Sequence, residues 1–337
     1  AERALEAPVE VVERALGRLG EEGAVVVEEG GAYLAPFYHS EVGLSARLAA
    51  LVKARVKPVS LDLGKRLSEL GKRDGIVLAQ RQYEAVKKAL DSGVVVITGG
   101  PGTGKTTTVR SIIRLLEAEG MRIGLAAPTG RAAKRLSEAT GREAKTIHRL
   151  LEVSFAQGEM RFERDESRPL EVDVLVVDEA SMVDLLLMYN LLKAIRPGTR
   201  LILVGDKDQL PSVGPGNVLR DIIQSGVIEA VALTEVFRQA RESMIVVNAH
   251  RVNRGEFPLL CRGKKAHGYA GEKPDTPPDF FFIEEEDPEK VRALVVELAS
   301  KRLPRYLRCD PVDDIQVITP MRRTSTGVEN LNMMLRE

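Results

Sequence analysis

The apolar positions in the middle of the chain follow the pattern of a sheet that is covered on both faces. Four continuous apolar runs alternate with helical stretches, and a continuous run indicates a strand that is buried on both sides. The runs are VVVIT (94–98), IGLAA (123–127), VLVVD (174–178) and LILVGD (201–206). The pattern therefore predicts an α/β fold in which helices flank a parallel sheet.

The first 75 residues have a different pattern. PVEVVERALGRLGEEG predicts a helix, and the short runs AVVVEEG and GAYLAPF predict two strands joined by a turn at Gly30 and Gly31. A helical stretch, EVGLSARLAALVKARV, follows, and the polar segment from Gly71 to Gly75 predicts a domain boundary. We interpret residues 1–75 as a small winged-helix-like α+β domain.

Two later segments depart from the sheet pattern. Residues 152–170 are too polar for a sheet interior, and short runs on either side of Gln157-Gly158 predict a protruding hairpin. Residues 262–279 are rich in Gly, Pro and Lys and predict a surface loop. After that loop, DFFFIEEE, a helix near 288–303 and DIQVITP predict the start of a second α/β unit.

Composition narrows the class of protein only slightly. The chain has 337 residues, 44% of them apolar, and equal numbers of acidic and basic residues, so a nucleic-acid partner would need local basic patches. Two distant cysteines, Cys261 and Cys309, argue against a disulfide framework. No long apolar run or signal-peptide layout is present, which predicts a cytoplasmic protein.

The sequence GGPGTGKTTT lies directly after the strand VVVIT and directly before a helical run. This is the context of a phosphate-binding loop, in which glycines let backbone N–H groups surround phosphates and the helix N-terminus adds positive charge. Lys105 is predicted to reach the β and γ phosphates, and Thr106 to bind Mg²⁺. The loop residues predicted to bind a nucleotide are Gly100, Pro101, Gly102, Thr103, Gly104, Lys105, Thr106 and Thr107.

A nucleotide site also needs carboxylates, and VLVVDEAS supplies two at the end of a buried strand. Asp178 is the candidate for the Mg²⁺ shell, and Glu179 is the candidate base that orients and deprotonates an attacking water. This pair favours hydrolysis by water over transfer to another acceptor.

In this order, the motifs resemble those of superfamily 1 helicases, most closely the RecD-like branch. The resemblance implies that Gln82 in LAQRQYEAV reads adenine. It identifies AAPTGRAAKRL (126–136) and KTIHRLL (145–151) with motifs that contact single-stranded DNA. The residues that it implies for DNA binding are Pro128, Thr129, Gly130, Arg131, Thr146 and His148.

The resemblance continues to residue 337. Gln209 in LVGDKDQLPSVGPGN matches the glutamine that senses the γ phosphate, and Arg238 in LTEVFRQA matches an arginine finger. It implies a RecA-like motor domain 1A at 76–232, with the 152–170 hairpin as a strand-separating pin, and the incomplete start of domain 2A at 233–337. Phe155 and Phe162 are candidate wedges of that pin, although inward packing is equally expected.

The resemblance implies an ATP- and Mg²⁺-dependent DNA helicase that moves 5′ to 3′ on single-stranded DNA, at a junction with duplex, in recombination and repair. Residues 1–75 are predicted to bind protein partners or pack on the motor. Later family motifs do not follow in this sequence, so we expect a fragment. There are two alternatives: a superfamily 1 helicase that acts on RNA, and a nucleotide-regulated DNA-binding or docking fragment without unwinding activity.

Overall fold

The structure, a computed structural model, describes residues 8–156, 159–235, 243–260 and 279–336. The chain forms two compact units, which we describe separately. The first consists of the described residues up to 235 together with 246–257, and the second consists of 243–245, 258–260 and 279–336.

The described residues contain ten strands. They are β1 (Val25–Glu28), β2 (Gly31–Leu34), β3 (Val94–Thr98), β4 (Ile123–Ala127), β5 (Lys145–Thr146), β6 (Val153–Ala156), β7 (Glu159–Phe162), β8 (Val174–Val177), β9 (Arg200–Gly205) and β10 (Glu229–Ala232).

The α-helices of the described residues are α1 (Val9–Glu21), α2 (Ala35–Lys53), α3 (Leu63–Asp74), α4 (Gln80–Asp91), α5 (Lys105–Ala118), α6 (Gly130–Thr140), α7 (Ile147–Leu150), α8 (Leu185–Lys193), α9 (Val218–Ser225), α10 (Met244–Asn253), α11 (Pro288–Glu297), α12 (Leu303–Leu307) and α13 (Val328–Arg336). A 3₁₀ turn covers Ala180–Met182, and a π-helical turn covers Leu298–Arg302. No helix in these ranges is both long and apolar enough to cross a membrane.

A six-stranded parallel sheet in the order β10-β3-β9-β8-β4-β5 organises the first unit. The α/β prediction is confirmed, and each of the four apolar runs forms a strand within one residue of its predicted ends. Successive side chains of β3 enter opposite cores: Val94 and Val96 pack with α2, α8 and α9, whereas Val95 and Ile97 pack with α4 and α5. This two-sided burial explains why the runs are continuously apolar.

The predicted helix and hairpin of the N-terminal region are present, with two corrections. The turn residues are Glu29 and Gly30, both with positive φ, because Gly31 already pairs with Glu28. The run GAYLAPF is a strand only to Leu34. A proline in the first turn starts α2 at Ala35.

Helix α3 occupies the segment that we expected to be a boundary. Asp62 caps its first turn by accepting a hydrogen bond from the Lys65 N–H (3.0 Å), and Gly75 ends it in the left-handed conformation. The glycine therefore marks a helix C-terminus. The division of the chain at residue 75 stays a prediction.

The predicted hairpin at 152–170 is confirmed as β6 and β7, which pair antiparallel from Val153 opposite Phe162 to Ala156 opposite Glu159. Its turn residues, 157 and 158, and the Phe155 side chain lie outside the described part of the chain. Phe162 packs against the core, and its ring centroid lies 6.0 Å from that of His148. For Phe162, inward packing is therefore the observed alternative.

In the second unit, the segments DFFFIEEE and DIQVITP, with which we expected an α/β unit to begin, form no strand within the described residues. Neither 279–286 nor 315–319 pairs with another strand there, and an extended segment without a neighbour has no ladder hydrogen bonds. The predicted helix near 288–303 is present as α11, which continues into the π-helical turn. The assignment of 233–337 to a second RecA-like domain stays a prediction.

Helix α2 belongs to the same buried cluster as α8. Its Leu44, Leu48 and Leu51 pack in the core that contains Leu191, which is 0% exposed. Residues from the predicted N-terminal domain thus help to bury one face of the sheet.

This shared core predicts that Leu48→Ala lowers the free energy of unfolding of the first unit by about 2–5 kcal/mol, as Leu191→Ala does. Chemical denaturation followed by circular dichroism measures both. Leu210→Ala is the matched control because Leu210 is 86% exposed, and its effect should stay within about 0.5 kcal/mol. A separate early transition in Leu48→Ala would show that α2 does not share this core.

Candidate nucleotide site

The predicted phosphate-binding loop connects β3 to α5. Gly102 and Gly104 have φ values of 73° and 76°, which a residue with a side chain rarely adopts. Thr103, 2% exposed, holds the turn by donating its hydroxyl to the Gly100 carbonyl at 2.8 Å. Thr106, by contrast, is exposed in the first turn of α5.

Lys105 is the first residue of α5, and its ammonium group lies against the start of the loop. Its Nζ donates to the carbonyl of Gly99 at 2.5 Å and to that of Gly100 at 3.1 Å. The side chain therefore folds across the concave side of the loop, where an ammonium can meet bound phosphate.

The acidic pair lies beside this loop because β8 and β3 both end at the same edge of the sheet. Strand β9 lies between them, with Thr98 opposite Gly205 and Val177 opposite Leu203. Asp178 and Glu179 follow β8 directly. The positive charge of Lys105 lowers the pKa of both carboxyls, so the pair and the loop lie in one electrostatic environment.

Burial is nevertheless the dominant influence on both carboxyls. It raises the pKa of Asp178, although the hydrogen bond from the Glu179 N–H (2.9 Å) opposes that shift. Burial also raises the pKa of Glu179, and the charges of Asp178 and Asp206 raise it further. A carboxyl whose pKa is raised is a stronger base in its ionised form, as proton abstraction requires.

Glu179 has a second unusual property. Its φ of 51° and ψ of 41° place it in the left-handed region, which is uncommon for a residue with a side chain and occurs at functional sites. The 3₁₀ turn that follows Glu179 packs closely against Gly205 of β9. A Cβ on Gly205 would lie 3.1 Å from the Ser181 nitrogen.

Two residues at this site were missed by sequence reasoning. Asp206, 2% exposed, follows β9 just as Asp178 follows β8, and that shared position at a strand end was the available signal. Arg135 lowers the pKa of both Asp178 and Glu179 from α6.

Gln82 lies in the first turn of α4 and is 2% exposed. Its Oε1 accepts from the Ala79 N–H at 3.0 Å, and its Nε2 donates to the carbonyls of Thr103 and Gly104, both at 3.3 Å. Gln82 is thus connected to the phosphate loop. Adenine recognition by its amide stays a prediction.

Of the two residues predicted to contact the γ phosphate, only Gln209 lies in the described part of the chain. Gln209 is exposed in the loop after β9 and lines an open cleft of about 610 Å³ together with residues of α9 and α10. Arg238 lies outside the described residues.

The residues predicted to bind DNA lie at the ends of two neighbouring strands. Ala127 of β4 is opposite Thr146 of β5, so the N-termini of α6 and α7 lie side by side. The hydroxyls of Thr129 and Thr146 accept from the N–H groups of Ala132 and Arg149, both at 3.2 Å. As acceptors, both hydroxyls keep a proton to donate to phosphate.

At the neighbouring helix starts, Gly130, Arg131 and His148 are exposed, and Pro128 is half-buried. The predicted residues therefore share one edge of the sheet. Their contact with DNA stays a prediction.

The chemistry of the donors suits a magnesium ion. Asp178 and Thr106 offer a carboxylate and a hydroxyl, the oxygen ligands that Mg²⁺ accepts alongside substrate phosphates. Within the described residues, no group of three or more His, Cys, Asp or Glu is arranged to hold a metal by itself. Such a site would therefore depend on nucleotide oxygens.

The raised pKa of Glu179 predicts a stability that depends on pH. A carboxyl with a raised pKa in the folded state favours folding when it is protonated, and that contribution is lost as pH rises through the folded pKa. Above that pH, Glu179→Gln removes a buried charge next to Asp178. We expect its Tm, measured without metal, to exceed the wild-type Tm by roughly 2–4 °C at pH 7.5.

The Tm difference should shrink as pH falls towards about 4.5, the ordinary range of a glutamate, because the wild-type carboxyl becomes protonated. Glu171→Gln is the control, since Glu171 is exposed. A Tm gain in Glu179→Gln that does not change with pH would contradict this explanation.

A family model described as an AAA domain matches residues 82–215, which contain the phosphate loop and the acidic pair. A Pif1 helicase from Candida albicans is similar over 54% of this chain and 45% of its own, with 29% identity and a TM-score of 0.42.

Two curated relatives are similar over most of the chain. The ATP-dependent RecD2 DNA helicase of Deinococcus radiodurans is 34% identical over 328 residues, which are 95% of this chain and 41% of the relative. The RecBCD enzyme subunit RecD of Mycobacterium tuberculosis is 37% identical over 299 residues, or 80% of this chain and 48% of the relative. The chain thus spans less than half the length of either. Together with the phosphate loop and the acidic pair, these similarities show that the chain belongs to the RecD-like family of superfamily 1 helicases.

Proposed function

We propose that this chain is the ATP-hydrolysing part of a DNA helicase motor that moves 5′ to 3′ on single-stranded DNA in recombination and repair. One observation carries the proposal: the loop with Lys105, which follows β3, and the Asp178-Glu179 pair, which follows β8, lie at the same edge of the parallel sheet. A basic phosphate ligand and a candidate base in one environment are what hydrolysis of a nucleoside triphosphate requires.

In this proposal, the loop N–H groups and Lys105 hold the phosphates of ATP. Glu179 accepts a proton from water as the water oxygen attacks the γ phosphorus, and the bond to ADP breaks. Asp178 and Thr106 would hold Mg²⁺, which when bound neutralises charge on the phosphate oxygens. Gln209 and Arg238 complete the site as a γ-phosphate sensor and an arginine finger.

Single-stranded DNA, at a junction with duplex, is the proposed track. The exposed N-termini of α6 and α7 support it, because backbone N–H groups and Arg131 suit phosphates. Residues 1–75 are proposed to contact a protein partner, consistent with the subunit name of the mycobacterial relative. The division at 76–232 and 233–337 into two motor domains is part of the same proposal.

Lys105→Ala tests the hydrolytic site. Loss of the ammonium removes a ligand of the β and γ phosphates, so we expect ATP hydrolysis stimulated by single-stranded DNA to fall by about 100-fold or more. Phosphate release measures it. Lys87→Ala is the matched control, since Lys87 is exposed on α4. Wild-type hydrolysis that no nucleic acid stimulates would refute the helicase proposal, and equal or stronger stimulation by matched RNA would refute the choice of DNA.

Arg131→Ala tests the DNA surface. Loss of one phosphate contact should weaken binding to single strands of any sequence and reduce the slope of log affinity against log salt by about 0.7. Fluorescence anisotropy at several salt concentrations measures it. Arg142→Ala is the control because Arg142 lies beyond the opposite end of α6. Equal losses in both variants would place the DNA elsewhere.

A further inference from the structure

His250 of α10 lies directly against the phosphate loop. A Cβ placed on Gly100 would lie 2.9 Å from Cε1 of the imidazole, 3.6 Å from Nδ1 and 3.7 Å from Nε2. The ring therefore occupies the space that any other side chain at position 100 would need. This contact explains why a glycine stands there, since Gly100 is not among the loop glycines with positive φ.

The Nε2 atom of His250 is buried, and no hydrogen-bond partner lies within reach of it in the described residues. Burying a polar nitrogen without a partner destabilises the folded protein. Such exceptions are rare in folded proteins and call for an explanation, which at a ligand site can be the ligand itself.

The position of Gly100 indicates which part of a nucleotide His250 would meet. The Lys105 ammonium, the group that reaches the β and γ phosphates in a loop of this type, lies 3.1 Å from the Gly100 carbonyl. Gly100 is therefore at the end of the loop that faces these phosphates. The α phosphate, the ribose and the base lie further along the nucleotide.

We propose that His250 is a further residue of the nucleotide site: its ring packs against Gly100, and its Nε2 donates a hydrogen bond to the terminal phosphate of a bound nucleoside triphosphate. This inference rests on the proposed function, since it assumes that a triphosphate occupies the loop. A neutral imidazole with its proton on Nε2 can make this bond, and so can an imidazolium. The contact is specific to the triphosphate because a diphosphate lacks the accepting group.

Three substitutions separate the ring from its nitrogen. His250→Phe keeps an aromatic ring against Gly100 but has no Nε2. In His250→Gln, the amide nitrogen takes the place of Nε2, whereas in His250→Asn it takes the place of Nδ1. His39→Phe is the matched control, because His39 is exposed on α2.

The experiment is isothermal titration calorimetry of the wild type and each variant with ATPγS and with ADP, both with Mg²⁺. Loss of one charge-assisted hydrogen bond should weaken ATPγS binding by about tenfold in His250→Phe and His250→Asn. ADP binding should change by less than about twofold, because ADP lacks the phosphate that Nε2 contacts. A loss of fold or of loop shape would instead weaken the binding of both nucleotides. His250→Gln should recover most of the ATPγS affinity, and His39→Phe should match the wild type.

The outcomes distinguish this inference from the proposed function. If the wild type binds ATPγS and the ratio of ATPγS to ADP affinity is the same in His250→Phe and His250→Asn, the inference is overturned and the proposed function stands. An equal loss for both nucleotides would also overturn it, since it would assign His250 a purely structural role. Absence of ATPγS binding by the wild type would overturn the proposed function and the inference together.

Discussion

The parallel alignment of β3, β9 and β8 is the constraint on which the rest of this site depends. Thr98, Gly205 and Val177 end these strands at one edge of the sheet, although more than 100 residues separate the first from the second. The Thr98 hydroxyl accepts from the Lys207 N–H at 3.1 Å, which connects the start of the phosphate loop to the loop after β9. Ladder hydrogen bonds and a two-sided core therefore fix the geometry on which any chemistry relies.

The same edge concentrates charge in a poorly hydrated place. Burial raises the pKa of Asp178 and Glu179, and the charges of Lys105 and Arg135 oppose that shift, so ionising these buried acids costs stability. Glu179 adds backbone strain to that cost. Both features oppose folding, and the raised pKa favours proton abstraction, a trade-off common in enzymes.

The sequence predicted those elements of the fold that depend on local interactions between neighbouring residues. The four central strands and the position of the glycine-rich loop between β3 and α5 were predicted correctly because continuous apolar runs and glycine spacing are local properties. The start of α2 at Ala35 and the extent of α3 depend on caps at single residues. The α/β unit expected from DFFFIEEE and DIQVITP has no strand at 279–286 or 315–319, because strand pairing needs a neighbour, which no local pattern specifies.

Residues that join the site through tertiary contact gave no such signal. Arg135 and His250 reach it from ordinary helices, and neither periodicity nor spacing distinguishes them from structural residues. Helix α10 contacts two loops of the site: its His250 lies against the phosphate loop, while its Val252 and Asn253 line the cleft that contains Gln209. These contacts are set by the fold, because residues 250 and 253 stand about 150 and 45 positions away along the chain from the loops that they meet.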